Sequence, residues 1–285
     1  MTKQSVGIIG VGMVGGAVQR YFEKVGVKPF LYDKFKNLGS VPEANRAEVI
    51  FVCVPTPYDE AGGGFDLSAV HEALGFIAGE KIVVLKSTVL PGTTEELQKQ
   101  FPQHKILFNP EFLTQSTGDN DMLYPDRQVV GYTKQSYSVA GTVLRMLPLA
   151  PFERVIPATE AELVKYFGNT WFSVKVVFAN QMYDLCKKVG ADYDLVRESV
   201  SADKRIGPSH LEIFHGGYRG YGGACLPKDT LALIQFGERI GAPMELLKRV
   251  HDLNCALRAN SAAPDNGAPR PRTTDNKAAA PPIGL

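Results

Sequence analysis

Charge of one sign is what this sequence most plainly lacks. Its 285 residues hold 31 Lys plus Arg against 30 Asp plus Glu. A balance that even gives no electrostatic footprint for nucleic acid or an anionic membrane surface. Cysteine is scarce as well. Cys53, Cys186, Cys225 and Cys255 form no CxxC pair, and their spacings fit no zinc pattern. Neither a metal site nor a disulfide framework is expected, and reduced thiols in a cytoplasmic protein are. No apolar run reaches the roughly 18 residues a membrane span needs. The opening residues have neither the apolar stretch nor the cleavage site of a signal peptide.

What is present is ordinary globular material, 44% hydrophobic and 21% charged, long enough for about two domains at roughly 150 residues each. The segment 259–285 departs from it, with 14 of its 27 residues Ala, Gly or Pro. It cannot bury enough apolar surface to offset its ordering entropy, so a disordered tail is expected there. The tail holds three basic and two acidic residues, which leaves 28 of each in the body.

Up to about residue 155, short apolar runs alternate with helical periodicity. Strands are predicted at Ser5–Ile9, Pro29–Tyr32, Val49–Val54, Lys81–Leu85, Lys105–Phe108 and Gln128–Gly131. Helices between them are predicted at Met13–Lys24, Leu67–Ala78, Thr93–Gln100 and Ser136–Leu147. Such alternation implies parallel pairing in a doubly wound α/β sheet of Rossmann type. From residue 156 to 258 the pattern is helical throughout, with helices predicted at Ala161–Val189, Tyr193–Ser201, Leu226–Arg239 and Pro243–Arg258. An all-α domain therefore follows the α/β domain.

Gly10-Val-Gly12-Met13-Val14-Gly15 lies between the first strand and the first helix. In a dinucleotide fingerprint the first glycine permits the tight turn, the second lets backbone approach a pyrophosphate, and the third packs helix on strand. Asp33 ends the second strand, where a carboxylate accepts from ribose hydroxyls and repels a 2′-phosphate, favouring NAD over NADP.

Two further signals lie in the helical half. In Gly222-Gly-Ala-Cys225-Leu-Pro-Lys-Asp229, Pro227 suits the first turn of a helix, which places Cys225 near a helix N-terminus. A thiol there is expected to have a lowered pKa, helped by Lys228, with Asp229 on the same helix face. On the long helix, Lys165 and Asn169 share a face, and Asn180 falls within about 60° of Lys165. Polar groups inside an apolar helix have to meet partners.

These residues together resemble the UDP-glucose/GDP-mannose dehydrogenase family. The matching stretches are Gly10 to Gly15, Cys53-Val-Pro-Thr-Pro57, Lys86-Ser-Thr-Val-Leu-Pro-Gly92, Asn109-Pro-Glu-Phe-Leu113, Pro125-Asp-Arg127, Glu162-Leu-Val-Lys165 with Asn169, Arg205-Ile-Gly207 and Gly222 to Thr230. The resemblance implies two successive oxidations of a nucleotide-sugar primary alcohol by NAD, through a Cys225 thiohemiacetal and thioester, as in polysaccharide biosynthesis. It implies that Lys165 and Asn169 stabilise oxyanions, that Asp229 and Thr88 hold or activate water, and that Glu111 is the base for thioester hydrolysis. It puts Gly10, Gly12, Met13, Val14, Gly15, Asp33, Pro55, Thr56, Ser87 and Thr88 at the cofactor. Phe112, Leu113, Lys165, Asn169, Arg205, Tyr221, Gly222 and Lys228 fall at the substrate, for which UDP-glucose is favoured. A homodimer through the helical domain is implied, with Pro243–Arg258 as a candidate surface.

The sequence departs from the family pattern in having Gln115 and Gln181 where carboxylates are usual, and in ending where a third, nucleotide-binding domain is expected. A non-catalytic NAD-binding or regulatory remnant is therefore one alternative. A two-electron β-hydroxyacid dehydrogenase is another, although it has no use for Cys225.

Overall fold

A computed structural model describes residues 4–59, 62, 64–114 and 117–260. The chain begins β1 (Val6–Ile9), α1 (Met13–Lys24), β2 (Phe30–Asp33), β3 (Leu38–Gly39), α2 (Val41–Ala44) and β4 (Val49–Val52). A small hairpin, β5 (Tyr58–Asp59) and β6 (Gly64–Phe65), precedes α3 (Ser68–Phe76), β7 (Ile82–Leu85), α4 (Thr93–Gln100) and β8 (Lys105–Phe108). Then come α5 (Gly118–Leu123), β9 (Arg127–Tyr132), α6 (Tyr137–Met146) and β10 (Phe152–Pro157). The remainder is helical: α7 (Ala158–Val189), α8 (Tyr193–Ser201), α9 (Leu226–Arg239) and α10 (Glu245–Ala259), with a 3₁₀ turn at His215–Gly217.

Eight strands make one sheet in the order β10-β9-β8-β7-β4-β1-β2-β3. Its central strands are Val/Ile/Leu-rich and buried on both sides, as helices on both faces require. Residues alternate between two cores. Ile50, Val52, Val83, Leu85 and Ile106 meet Val70, Leu74 and Leu97 of α3 and α4 on one face. Ile8, Phe51, Val84 and Leu107 meet Val18 and Phe22 of α1 and Val143 of α6 on the other. The chain leaves β1 for β2 on one side and returns to β4 on the other. That reversal makes the crevice at the strand carboxyl ends the natural place for a ligand.

The sheet is not wholly parallel, as strand–helix alternation alone predicts. β2 and β3 pair antiparallel, and so do β8 and β9, through Leu107–Tyr132 and Phe108–Gly131. The β8–β9 connection passes through the short α5 and never crosses to the opposite edge. The loop that carries Glu111, Phe112 and Leu113 thus stays at the carboxyl edge of β1, β4, β7 and β8.

Helix α7 runs 32 residues without proline and stops at Gly190 in the left-handed region, φ 74°. Tyr166 packs against Ala232, Leu233 and Ile234 of α9 and Leu247 of α10, and the β5–β6 hairpin leans on this cluster through Tyr58 and Phe65. Helix α10 extends to Ala259, one residue into the segment expected to be a tail, and Asn260 caps it. The tail beyond Asn260, and Gln115, lie outside the described residues. Among the described residues no helix is long and apolar enough to cross a membrane.

Candidate active site

The glycine turn closes the crevice from below. Gly10 has φ +87°, and its N–H donates to the Tyr32 carbonyl at 2.9 Å. A Cβ on Gly15 would lie 1.9 Å from the Gly10 carbonyl oxygen, while one on Gly12 would meet nothing within 4 Å. The turn is therefore packed shut at its two ends and open in the middle. The first turn of α1 has no side-chain cap and no acidic residue, so the N–H groups around Met13 and Val14 face that opening without an intrahelical acceptor. An uncapped helix start beside an open glycine fits a pyrophosphate.

Asp33 is already engaged. Its Oδ2 accepts from Val11 N–H at 2.8 Å, and Oδ1 accepts from Phe35 and Lys36 N–H at 3.0 Å each. Lys36 Nζ returns a bond to the Val11 carbonyl at 2.6 Å, and Lys34 pairs with Glu72. Asp33 therefore braces the glycine turn, and a groove lined by Ile9, Gly10, Tyr32, Asp33, Val54 and Pro55 opens beside it. Lys34 and its partner Glu72 line the same groove, so its charged wall is Asp33 together with that ion pair.

At the far end of the groove the turns after β4 and β7 are tied together. The Thr56 hydroxyl donates to the Thr88 carbonyl at 2.8 Å, and the Ser87 hydroxyl to the Val54 carbonyl at 2.6 Å. Thr56, Ser87 and Thr88 are all buried. The structure thus shows Thr88 held by its main chain in the wall of the site.

The second half of the site is built on α7 and α9. Lys165 Nζ donates to the Glu111 carboxylate at 2.6 Å and to the Glu111 carbonyl at 2.8 Å, and both side chains are buried. Glu111 also accepts from Leu113 N–H at 2.9 Å. Burial alone would raise its pKa, but Lys165, Leu113 N–H and the more distant Lys86 bring it below the usual carboxylate value. One turn along α7, the Asn169 amide donates to Asp229 at 2.5 Å. Lys228 Nζ takes the other Asp229 oxygen at 2.7 Å and lies 4.6 Å from the Phe65 ring centroid. Asp229 is fully buried, and its N–H closes the first turn of α9 onto the Cys225 carbonyl at 3.0 Å.

Cys225 sits at the N-cap of α9, where its sequence context places it. Its pKa is nonetheless raised rather than lowered. Burial pushes the thiol up, the Glu111 and Asp229 carboxylates push it further, and Lys165 and Lys228 only partly oppose them. The helix start is one influence among four surrounding charges, and the thiol is mainly protonated at neutral pH.

Of the residues expected at the substrate, Phe112 and Leu113 follow Glu111 in the chain, and the Arg127 guanidinium lies 3.9 Å over the Phe112 ring. Tyr221 is buried, with its N–H and carbonyl held by the Asn254 side chain at 2.7 and 3.1 Å. Burial pushes its phenol up to about 12. Gly222 follows it directly before the Cys225 turn. Arg205 is 89% exposed and pairs with Asp203 at 2.5 Å. None of its hydrogen bonds among the described residues reaches the Cys225 group. Asn180 is buried but holds Arg219 at 2.9 Å, away from Lys165, and Gln181 is exposed.

Sequence reasoning gave no role to Lys86 or Glu162. Lys86 is buried, with Nζ on the Asn109 side chain at 2.6 Å, and burial lowers its pKa. A lysine ending the strand Ile-Val-Val-Leu is the signal that marks it, since continuing the strand carries it inside. Glu162 is fully buried on the same α7 face as Lys165, and burial raises its carboxyl to about 7.

Residues 31–146 match the NAD binding domain of the UDP-glucose/GDP-mannose dehydrogenase family, and residues 159–256 match the central domain of that family. A UDP-glucose 6-dehydrogenase of Rhizobium meliloti (strain 1021) is 36% identical over 222 residues, covering 73% of this chain and 50% of the relative. One from Pseudomonas aeruginosa is 39% identical over 229 residues, covering 73% and 48%. A UDP-glucose dehydrogenase structure from Pyrobaculum islandicum superimposes with a TM-score of 0.76 at 31% identity, over 89% of this chain and 68% of that one. The chain spans about half the length of the curated relatives it matches.

Proposed function

The chain belongs to the UDP-glucose/GDP-mannose dehydrogenase family, and from that premise we propose that it oxidises the primary alcohol of a nucleotide-sugar to the acid in two NAD-dependent steps. UDP-glucose is the substrate favoured by the relatives' names. The observation that carries the reading is the convergence of Cys225, Lys165, Glu111, Asn169 and Asp229 in one cluster. Bound NAD supplies the hydride acceptor for each oxidation.

The chain's own residues do the rest. Lys165 and Asn169 donate to the oxygen that carries negative charge in the successive steps, which is worth most in a dry site. Once the alcohol has become an aldehyde, Cys225 Sγ bonds to its carbon, the carbonyl π bond opens onto the oxygen and that oxygen takes up the thiol proton, giving a thiohemiacetal. Loss of the second hydride from that carbon yields a thioester. Water, held by Asp229 and Thr88, adds to the thioester carbon and gives its proton to Glu111. The carbon–sulfur bond breaks, Cys225 leaves as thiolate and regains its proton from Glu111, and the acid departs. Glu111 becomes available as a base when Lys165 turns from it to the substrate oxygen.

Phe112, Leu113, Tyr221 and Gly222 form the substrate walls in this reading, and Lys228 and Arg205 meet its charge. The four unpaired cysteines suit the cytoplasm, where Cys225 stays reduced. A homodimer is supported by the exposed Phe167 (76%), Trp171 (54%) and Phe178 (59%) on α7. On α10, Leu247 and Val250 face inward while Leu246 is exposed, so Pro243–Arg258 stays a candidate surface beside α7. Light scattering in solution tests this.

The test of function is a saturating panel of UDP- and GDP-sugars with NAD. Two NADH per acid are expected. One NADH per product instead indicates a two-electron dehydrogenase, and none from the whole panel overturns the catalytic reading. NAD binding without turnover supports the non-catalytic reading instead.

A further inference from the structure

We propose that Glu162 is a positioning residue that fixes the Lys165–Asn169 face of α7 against the turn carrying Ser87 and Thr88. The inference rests on the dehydrogenase reading for its catalytic consequence, but not for its geometry.

Helix α4 starts immediately after that turn. Its N-cap is Gly92, in the left-handed region at φ 94°, which has no side chain with which to cap. The first N–H groups of a helix need acceptors from elsewhere. Glu162 supplies them from 70 residues away in sequence. One carboxylate oxygen accepts from Gly92 N–H at 2.6 Å. The other accepts from Thr94 N–H at 2.8 Å and from the Thr94 hydroxyl at 2.6 Å. A fully buried carboxylate is costly unless several donors surround it, and here all three come from the start of α4.

The turn is fixed at two places. Ser87 and the Thr88 carbonyl are tied to the end of β4 through Val54 and Thr56. Four residues beyond Thr88, Gly92 is tied to α7. Glu162 precedes Lys165 by three residues and Asn169 by seven, so all three share one face of a continuous helix. A shift of α4's start relative to Glu162 would therefore change the spacing between the cofactor wall and the groups that stabilise the oxyanion. A misplacement of about 1 Å at a reacting centre costs on the order of 100-fold in rate.

The experiment compares wild type with Glu162→Gln and with the milder Thr94→Val, which removes one bond of the three. The first measurement needs no turnover. Alkylation of Cys225 by iodoacetamide, followed by peptide mass spectrometry, is timed with and without saturating NAD. NAD is expected to change the wild-type rate at least about fivefold. In Glu162→Gln the ratio is expected to fall toward one while the Kd for NAD stays within about threefold. Thr94→Val is expected to lie between. Amide exchange at Gly92 and Thr94 should rise about tenfold in Glu162→Gln. A ratio unaltered in both variants overturns the proposal, whatever the activity.

The second measurement is turnover. Glu162→Gln is expected to lower kcat at least tenfold with the substrate KM within about threefold, and to raise the isotope effect from deuterium on the oxidised carbon. Faster amide exchange with unchanged kcat makes Glu162 a helix cap only and overturns the positioning role. Absence of turnover in wild type counts against the dehydrogenase reading, and the alkylation ratio still decides the role of Glu162.

Discussion

The Lys165 ammonium donates to Glu111 twice, to its carboxylate at 2.6 Å and to its carbonyl at 2.8 Å, with 5% and 8% of the two side chains exposed. Each charge exists in the interior because the other does. Removing one leaves an uncompensated buried charge, which is far more costly than removing both.

Lys165→Met is therefore expected to lower unfolding free energy by about 3–5 kcal/mol. Adding Glu111→Gln should recover most of that loss while turnover stays abolished. Urea denaturation of the single and double variants measures both. A double variant no more stable than the single would contradict the pairing.

The Cys225 thiol, raised by burial and by two carboxylates, should still be gaining alkylation rate as pH rises past 9. Glu111→Gln removes one of those carboxylates and frees Lys165. Alkylation at pH 8 should then quicken by roughly 3- to 10-fold, since one unit of pKa is a factor of ten in thiolate at pH well below it. A slower reaction would mean that the cysteine does not feel Glu111.

Glu111 and Glu162 should respond to pH in opposite senses. Glu111 titrates lower in the folded state than unfolded. The stability it contributes is present above about pH 4.5 and is lost as pH falls through its folded value. Glu162 titrates near 7 when folded. Burial raises it, with a smaller push from Glu95, against the opposing Thr94 and Gly92 donors, so the folded state holds its proton longer than the unfolded state does. That contribution is full below about pH 4.5 and disappears as pH rises through about 7, an effect on the order of 3 kcal/mol. In Glu162→Gln the decline in Tm between pH 5 and 8 should flatten relative to wild type, and an identical slope would be inconsistent with the raised value.

The glycine turn separates folding from binding. Gly12→Ala meets open space, so Tm should move by less than about 2 °C while NAD affinity falls at least about tenfold. Gly15→Ala collides with the Gly10 carbonyl and should cost about 1–3 kcal/mol of stability through forced backbone movement. Denaturation and NADH fluorescence titration distinguish the two. Unchanged NAD binding in Gly12→Ala would place the pyrophosphate elsewhere.

Local periodicity made much of the fold legible. Met13–Lys24, Thr93–Gln100, Tyr193–Ser201 and Leu226–Arg239 are helices with the bounds their sequence implies. Strand direction was not legible at β9, because the antiparallel choice depends on which edge the loop 109–126 returns to, and only two residue pairs record it. The edge strand β10, Phe-Glu-Arg-Val-Ile-Pro, is too polar to read as a buried run, and the two-residue strands β5 and β6 are too short to show alternation.

The site divides in the same way. A helix start beside Cys225 can be read from Pro227, but the upward pKa shift comes from burial first and then from Glu111, 114 positions earlier in the chain. Lys165 and Asn169 announce themselves as polar residues within an apolar helix. Glu162 does not, because an acidic residue near the start of a helix is ordinary in sequence, and its three donors are assembled only by the fold.

Helix α7 also fixes how this chain can vary. Glu162, Lys165 and Asn169 keep their mutual phase only because an unbroken helix joins them, at 100° and 1.5 Å per residue. Inserting or deleting one residue between Glu162 and Lys165 would turn the downstream groups through more than a quarter of a circle away from Glu111 and Asp229. The intervening Leu163 and Val164 point away from that buried face and can be exchanged, whereas the number of residues between Glu162 and Lys165 is fixed by the chemistry at either end.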